Sequence, residues 1–470
     1  MAKETKRAES ELKVGYGRAD ITPDYPVNMA GSAASRVSEG ALDPLYITFI
    51  AIGQGEKTFL VATMDLVGVY EEYGAPLRAY VSQETKIPEE RVILNSTHTH
   101  SSVACRNAKS TNALRYRQDL CTRAAFAAKE ALADLSPALV WYSSTQTKGM
   151  VWVRHYKMAD GTYGGANYGS FKSGIVGHAS EADPEMQVIR FARSAAGKKD
   201  VVLMNFPSHA TINQNSTLLS ADFPGPAREY VAQKTDTLVA YFIAGGGDQV
   251  PISRVAEENF STDYRAYGEE VGRLAVESMK RLTKSECHDL CFSRRTFTGE
   301  SNQADLDRVE EALEVSRIWE QVGGRGTKEG RAAAKEHGFS SVYEVTAILN
   351  RRRFAPTRNL EIKALGIGDT SLIFAPYEMF GASAMQIKKE SPYPMTFVVS
   401  CSQNHDGYMP SRLGWKLRCY EAQITRFAPG TAEKLAEEYA FALCLPLFFV
   451  ETTRVNPFLR RPSDTSVSHL

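Results

Sequence analysis

The sequence predicts an α/β fold, with large mixed β-sheets sandwiched by helices. Two observations support this prediction. Apolar runs of strand length alternate with amphipathic segments of helix length along the chain, and neither repeats nor low-complexity linkers interrupt them. We therefore divide the 470 residues into a charged N-terminal tail (1–12), a single domain (13–455) and a C-terminal tail (456–470).

The elements follow from the residue patterns in chain order. Apolar runs rich in Val, Ile, Leu and Phe predict strands at 59–69, 91–94, 201–206, 237–244, 371–375 and 396–401. Amphipathic periodicity and the positions of proline predict helices at 72–85, at 113–135, from the Pro-Gly-Pro at 224–226, at 262–284 and at 431–447. The charged excursion at about 303–351 is predicted to be a solvated helical hairpin over the sheet, without chemistry of its own.

Composition argues against several classes of partner. Lys+Arg and Asp+Glu number 55 each, so no net charge attracts nucleic acid or an anionic membrane. No apolar run reaches the ~18 residues of a membrane span, and the charged N-terminus lacks the apolar core of a signal peptide. Seven cysteines without a scaffold-like spacing indicate reduced thiols. We expect a cytoplasmic protein with a small-molecule substrate, and a homo-oligomer is compatible with the sequence.

Two histidines two positions apart follow the predicted strand at 91–94, in the stretch NSTHTHSS. In a strand, positions i and i+2 share a face, so His98 and His100 would point the same way. Neighbouring imidazoles form a metal or proton-transfer site. The alternative interpretation is simply a polar strand end.

Polar, metal-competent residues also follow four other predicted strands. They are His209, Asp248 after a glycine run, Glu378, and the group His405, Asp406 and Tyr408. Each has an ordinary explanation: His209 could be a core histidine, Glu378 could complement a helix dipole, and the glycines could form a tight turn. Strand ends of α/β folds commonly carry functional sites, so together these residues favour a metal site.

At these motifs the chain resembles the neutral/alkaline non-lysosomal ceramidase family. The similar stretches are GYGRADITP, THTHS, FPSHAT, LLSADFPG, GGGD, APYEMF, NHDGYMP and CYE. The resemblance implies a ceramidase-like catalytic domain and a catalytic Zn²⁺ held by His98, His209, Glu378 and Tyr408. It also implies that His100, Arg154 and Tyr420 surround the scissile group. The glycine-aspartate motif adds Asp248 to the candidate catalytic residues.

The chemistry of these residue types agrees with a hydrolytic zinc site. Zinc accepts nitrogen and oxygen ligands, and it lowers the pKa of a bound water to near ~7. A tyrosine ligand is reasonable because a metal can deprotonate a phenol. His100 would take or give a proton, and Tyr420 and Arg154 would donate to the oxyanion of a tetrahedral intermediate.

One residue departs from the family pattern. The ceramidases carry a serine two residues after the aspartate of the glycine-aspartate loop, whereas this chain has Val250 in GDQVP, and Ser253 is out of register. From the sequence we also expect neither the additional C-terminal domain of the ceramidases nor an apolar lid for a long lipid. We therefore expect a zinc-dependent hydrolase that cleaves an amide or ester bond of a polar intracellular substrate.

Three alternatives remain open from the sequence. The first is zinc-dependent glycoside-type cleavage or elimination on a carbohydrate derivative, and the second is a true ceramidase acting on N-acyl sphingoid lipids. The third is a metal-binding or interaction protein without activity. A second ion, Mg²⁺ or Ca²⁺, could also lie near Asp65 or Asp222, although helix capping or support of the metal ligands explains either carboxylate as well.

Overall fold

The computed structural model describes residues 11–31, 35–106, 110–255, 259–403 and 405–450, with the backbone alone for 445–450. The strands are β1 (Lys13–Asp20), β2 (Asn28–Met29), β3 (Arg36–Val37), β4 (Gly40–Ala41), β5 (Tyr46–Gln54), β6 (Lys57–Met64), β7 (Val92–Ser96), β8 (Ser136–Gln146), β9 (Trp152–Val153), β10 (His155–Met158), β11 (Tyr163–Gly165), β12 (Ile175–His178), β13 (Glu185–Arg193), β14 (Val201–Phe206), β15 (Leu218–Leu219), β16 (Leu238–Ile243), β17 (Gln249–Val250), β18 (Thr283–Lys284), β19 (Leu290–Glu300), β20 (Thr357–Ile367), β21 (Thr370–Phe374), β22 (Glu378–Met379), β23 (Met395–Val399) and β24 (Tyr408–Met409). The helices are α1 (Glu71–Thr85), α2 (Thr111–Ala133), α3 (Pro224–Thr235), α4 (Tyr264–Met279), α5 (Val309–Gln321), α6 (Lys328–Glu336), α7 (Val342–Arg351), α8 (Gly381–Glu390), α9 (Arg412–Lys416), α10 (Tyr420–Ile424) and α11 (Thr431–Val450).

The larger of the two main sheets has the order β16-β14-β13-β8-β1-β5-β6-β7. Its inner neighbours are antiparallel, whereas the outer pairs β14–β16 and β6–β7 are parallel. Helix α2 lies very close to β1 because Gly15 and Gly17 present no side chain. A Cβ on either glycine would lie 2.0 Å from a carbonyl oxygen of α2. The mixed sheet predicted from the sequence is confirmed.

The second main sheet, β19-β20-β21-β23, packs face to face on the first. The core between them takes side chains from both sheets, such as Ile50, Leu203 and Phe397. Helices α1 and α2 cover part of the outer face of the first sheet, α3 and α4 cover another part, and α8 and α11 cover the second sheet. The layers are therefore helix, sheet, sheet and helix, in agreement with the predicted sandwich.

The ends of strands from both sheets meet at one place. Ala244 N–H donates to the carbonyl of Phe206 at 3.0 Å, and Ser400 N–H donates to that of Ile243 at 3.1 Å. Isolated bridges join Asn95 to Ser402 and Thr99 to Ala210. The loops that follow β7, β14, β16, β21 and β23 are thus held together, and these loops carry the histidines and carboxylates singled out in the sequence.

The predicted hairpin at about 303–351 is wrong in detail, because this stretch forms three α-helices, α5, α6 and α7, after a single 3₁₀ turn at Leu306–Arg308. These helices share a small core of their own that includes Val315, Trp319 and Ile348. Tyr343 on α7 packs against Tyr420, with ring centroids 5.1 Å apart. The excursion therefore borders the candidate site.

Among the described residues, no helix has the length and apolar character needed to cross a bilayer. The division of the chain into two tails and one domain stays a prediction.

Candidate metal centre

His98 and His100 converge, although for a different reason from the one expected. Strand β7 ends at Ser96, so strand alternation does not align the two rings. Instead His98 has a left-handed backbone with φ of 62°, and its N–H donates to the carbonyl of Leu66 at 3.0 Å. The Nε2 atoms of the two histidines lie 3.3 Å apart.

Three histidines present the same nitrogen to one point, because each ring is fixed through its other nitrogen. The Nδ1 atom of His98 lies 2.5 Å from the carbonyl oxygen of Val67, and that of His100 lies 2.8 Å from the carbonyl of Gly31. The Nδ1 atom of His209 lies 2.6 Å from the carbonyl of Gly246. A carbonyl only accepts, so each Nδ1 carries a proton, and Nε2 is the atom that each ring can offer to a metal ion.

The ligand atoms of His98, His100 and His209 all lie within 4.8 Å of one another. Gly31 has a φ of 83° and sits against His100, where a Cβ would come within 2.4 Å of the histidine side chain. Only glycine fits this approach without a shift of the backbone or the ring. Three imidazole nitrogens at this spacing are a donor set that suits zinc.

Glu378 completes this donor set. Its Oε2 lies 3.2 Å from Nε2 of His98 and 3.1 Å from Nε2 of His209. Burial raises the pKa of Glu378, but the neighbouring histidines outweigh burial and hold this pKa well below its usual range. A buried carboxylate requires a positive partner, which can be a proton on His98 or a metal ion.

Tyr408 lies beside Glu378 because β22 and β24 form a short parallel pair in which these two residues are register partners. Burial raises the pKa of the Tyr408 phenol well above its usual range. The guanidinium carbon of Arg154 lies 5.5 Å from the centre of the Tyr408 ring. The four residues assigned as zinc ligands are therefore brought together, and their role as ligands stays a prediction.

Arg154 reaches the same cluster. One of its terminal nitrogens lies 3.5 Å from Nε2 of His209, and another donates to the carbonyl of Gly247 at 3.1 Å. The pKa of His209 falls to about 4, because of burial first and the nearby Arg154 cation second. His209 is therefore neutral at physiological pH, as a metal ligand must be.

Glu421 was not singled out as a functional residue, yet it holds Arg154 in place. Its Oε1 accepts from Nε of Arg154 at 2.6 Å, and its Oε2 lies 2.9 Å from Nε2 of His155. The ligand atoms of His155, Cys419 and Glu421 also lie within 4.8 Å of one another. The Arg154 cation already neutralises this carboxylate, so we interpret the group as support for Arg154 rather than as a second metal site. The only sequence signal was the position of Glu421 directly after Tyr420.

Tyr420 begins helix α10, and its ring centroid lies 6.0 Å from that of Tyr408. Burial raises the pKa of the Tyr420 phenol, so it stays a neutral hydrogen-bond donor. Its predicted place beside the reacting group is compatible with this position.

Asp248 lies behind the cluster and contacts backbone groups. Its carboxylate accepts from the N–H of Gly381 at 2.8 Å, where helix α8 begins, and its carbonyl accepts from the N–H of Arg154 at 2.9 Å. These contacts favour a positioning role over the catalytic one predicted, which stays untested.

His405 is a further neighbour of Glu378 that the predicted ligand set left out. Its Nε2 lies 3.2 Å from Oε1 of Glu378, and its ring centroid lies 5.0 Å from that of Tyr70. A Cβ at Gly68 would lie 2.3 Å from Nδ1 of His405, so the glycine makes room for the ring. The NHDGY motif contained this histidine, but only three-dimensional contact distinguishes it from its neighbours.

At Asp65 protein donors contact both carboxylate oxygens, and a second ion there stays a prediction. Arg228 donates to Oδ1 and Oδ2 at 2.8 Å each, and the N–H of Tyr46 donates to Oδ2 at 2.9 Å. Asp222 instead accepts from the N–H groups of Asn213 and Phe223, at 2.8 and 2.7 Å. Both carboxylates stabilise the loops around the histidines.

The layered architecture and the buried histidine-carboxylate cluster at the strand ends define an α/β protein with a metal-competent centre. Its fold is that of neutral ceramidase. The crystal structure of neutral ceramidase from Pseudomonas aeruginosa matches 97% of this chain and 77% of that chain, with a TM-score of 0.68 and 17% sequence identity. A structure described as a ceramidase complexed with C2 gives a TM-score of 0.68 and 16% identity, over the same shares of the two chains.

Neither a protein-family model nor a curated protein matches the sequence. The resemblance predicted from the motifs is confirmed by this structural similarity, at the level of the fold.

Proposed function

We propose that this protein is a zinc-dependent hydrolase that cleaves an amide or ester bond of a polar substrate with an activated water. The single observation that carries the proposal is the convergence of three histidine Nε2 atoms and the Glu378 carboxylate, each histidine fixed through Nδ1. A zinc ion bound by His98, His209, Glu378 and Tyr408 would polarise the substrate carbonyl and acidify a water.

The remaining residues have separate tasks in this proposal. His100 Nε2 takes a proton from the attacking water and returns it to the leaving group, while the Gly31 carbonyl holds the ring through Nδ1. Arg154 donates to the oxygen anion of the tetrahedral intermediate, and Tyr420 donates from the other wall. Glu421 keeps the guanidinium aimed at the site.

The surroundings of the centre support a polar substrate. Next to Tyr408, the carboxylate of Asp406 accepts from Arg358 at 2.7 Å and from Arg426 at 2.9 Å. Arg106 lies 5.2 Å from the centre of the Tyr70 ring, on the His405 side of Glu378. These three arginines make the surroundings of the centre polar, which suits a polar substrate better than a long acyl chain.

Val250 favours a second candidate function, the cleavage of a glycoside or an elimination on a carbohydrate derivative. It is half-buried in β17, opposite Trp152, and provides no hydroxyl for a reacting amide. In this case His100 and Tyr420 would act as base and acid at a different bond.

The test is a substrate panel with the zinc-loaded protein. Short polar N-acyl compounds, esters, glycosides and ceramide are incubated with it, and products are identified by mass spectrometry. Cleavage of polar amides or esters supports the proposal, and glycoside products support the second candidate. Efficient ceramide cleavage would identify a true ceramidase, and inactivity of the zinc-loaded protein on the whole panel would contradict the proposal.

A further inference from the structure

A cavity of about 830 Å³ lies between the three-helix excursion and the segment that leads into α10. The excursion contributes Lys335 from α6 and Arg351 from α7, and the opposite wall contributes Trp415, Leu417 and Arg418. Tyr168, from the loop after β11, also lines it. Its volume is in the range of small-molecule sites. The residues that line this cavity are not those of the histidine cluster.

Two side chains in the lining, Tyr168 and Arg351, are enclosed by the wall of the cavity. The hydroxyl of Tyr168 and the Nε of Arg351 are buried and have no partner among the described residues. The two side chains are only 7% and 2% exposed. Neither atom is accessible from the cavity, so recognition of a ligand depends on the side chains that are exposed in it.

The accessible charges of the cavity favour an anionic ligand. Within the described part of the chain, the side chains of Lys335 and Arg418 have no hydrogen bond or ion pair. The two carboxylates in the lining are already engaged. Asp305 lies 3.3 Å from a terminal nitrogen of Arg351, and Glu344 accepts from Ser340 N–H at 2.6 Å and from its hydroxyl at 2.7 Å. The net charge that remains for a ligand to neutralise is therefore positive.

We propose that this cavity binds a small organic anion. Its phosphate group pairs with Lys335 and Arg418, which are exposed in the cavity lining. The organic part of the ligand packs on Trp415 and Leu417, which form the apolar part of the same wall. This inference is independent of the hydrolase reaction.

Isothermal titration calorimetry on the purified full-length protein at low salt tests the proposal. The probes are inorganic phosphate, phenyl phosphate and AMP. Phenyl phosphate or AMP is expected to bind wild type, and to bind a Lys335→Ala/Arg418→Ala double variant at least tenfold more weakly. Tyr168→Phe, which removes only a buried hydroxyl, should bind these probes as wild type does.

The matched control is Lys328→Ala/Lys416→Ala, in which an exposed lysine is removed from each of the same two regions outside the cavity lining. It should bind as wild type does, and so should His98→Ala. Failure of all three probes to bind would overturn the proposal. So would a Lys335→Ala/Arg418→Ala variant that binds them as tightly as wild type does. Loss of binding in His98→Ala would place the anion at the metal centre instead. If inorganic phosphate binds as tightly as phenyl phosphate and AMP, the packing of the organic part on Trp415 and Leu417 is refuted.

Discussion

Arg154 and Glu421 form a buried ion pair in which Nε of the arginine donates to Oε1 of the glutamate at 2.6 Å. The pair fixes the guanidinium so that one of its terminal nitrogens lies 3.5 Å from Nε2 of His209. Burial alone would raise the pKa of Glu421, but Arg154 and then His155 outweigh it and lower that pKa well below its usual value. Glu421 is therefore ionised throughout the physiological range, and Arg154 always has its partner.

Replacing Glu421 by Gln should lower kcat about 10–100-fold, the usual effect of losing a residue that orients a functional group. Zinc content, measured by elemental analysis, should stay near wild type because Glu421 is not a proposed ligand. Glu433→Gln is the control, since Glu433 also contacts an arginine, Arg412, but lies away from the histidines. Unchanged turnover in Glu421→Gln would show that Arg154 does not need this carboxylate.

Replacing His98 or His209 by Ala should abolish stoichiometric zinc binding. Purified wild type should carry about one zinc per chain, and each variant removes one of only four proposed ligands. His337→Ala, in the helical excursion, is the matched control and should keep its metal. Full zinc occupancy in either ligand variant would refute the assignment.

His100→Ala separates metal binding from proton transfer. The variant should keep its zinc and lose roughly 10²–10⁴-fold in turnover, the usual contribution of a positioned acid or base. Turnover is measured on whichever substrate the panel identifies. If the variant loses its metal instead, then His100 is a ligand, as its Nε2 distance of 3.3 Å from His98 Nε2 would allow.

Asp65→Asn should destabilise the protein by about 3–5 kcal/mol, because it leaves the buried Arg228 guanidinium without its charged partner. The free energy of unfolding is measured by urea denaturation. Glu270→Gln, which breaks an exposed pair with Arg273, should cost less than about 1 kcal/mol. A small effect at Asp65 combined with loss of a bound metal would support a second metal site there.

Val250→Ser should not create ceramide hydrolysis. A hydroxyl in a space shaped for valine gains little unless partners orient it, and an unpaired buried hydroxyl costs about 1–3 kcal/mol. Substrate choice also depends on the whole cleft. Wild type and variant are assayed with ceramide beside short polar N-acyl and sugar-derived compounds. Efficient ceramide turnover by either protein would defeat the proposal of a polar substrate.

The sequence identified the parts of the site that come from strand ends. His209, Glu378 and Tyr408 each follow an apolar run, and such positions meet when parallel strands share an edge. Asn404, in the same motif, lies outside the described residues. Contacts between distant elements could not be predicted. No local pattern distinguishes Glu421 from other polar residues near a turn, and the strand-end position of His405 does not show that its ring contacts Glu378.

The sequence also missed several long strands. Strand β8 follows directly after helix α2, and its inward and outward residues do not alternate cleanly. A mixed pattern of this kind gives no period-2 signal, because both faces are partly covered. The helical excursion was misjudged for a related reason: its charged outer faces concealed a small core around Trp319.

Main-chain carbonyls of three separate loops set the orientation of the three histidine rings. A substitution at Val67 leaves the acceptor oxygen in place, so the His98 ring loses this partner only if the loop itself moves. At Gly246, by contrast, a Cβ would lie 3.0 Å from the Pro207 backbone, so a substitution there would shift the loop. The histidine cluster should therefore tolerate many side-chain changes in the surrounding loops, but not at tightly packed glycines such as Gly31, Gly68 and Gly246. This property makes the scaffold a good starting point for laboratory evolution toward new substrates.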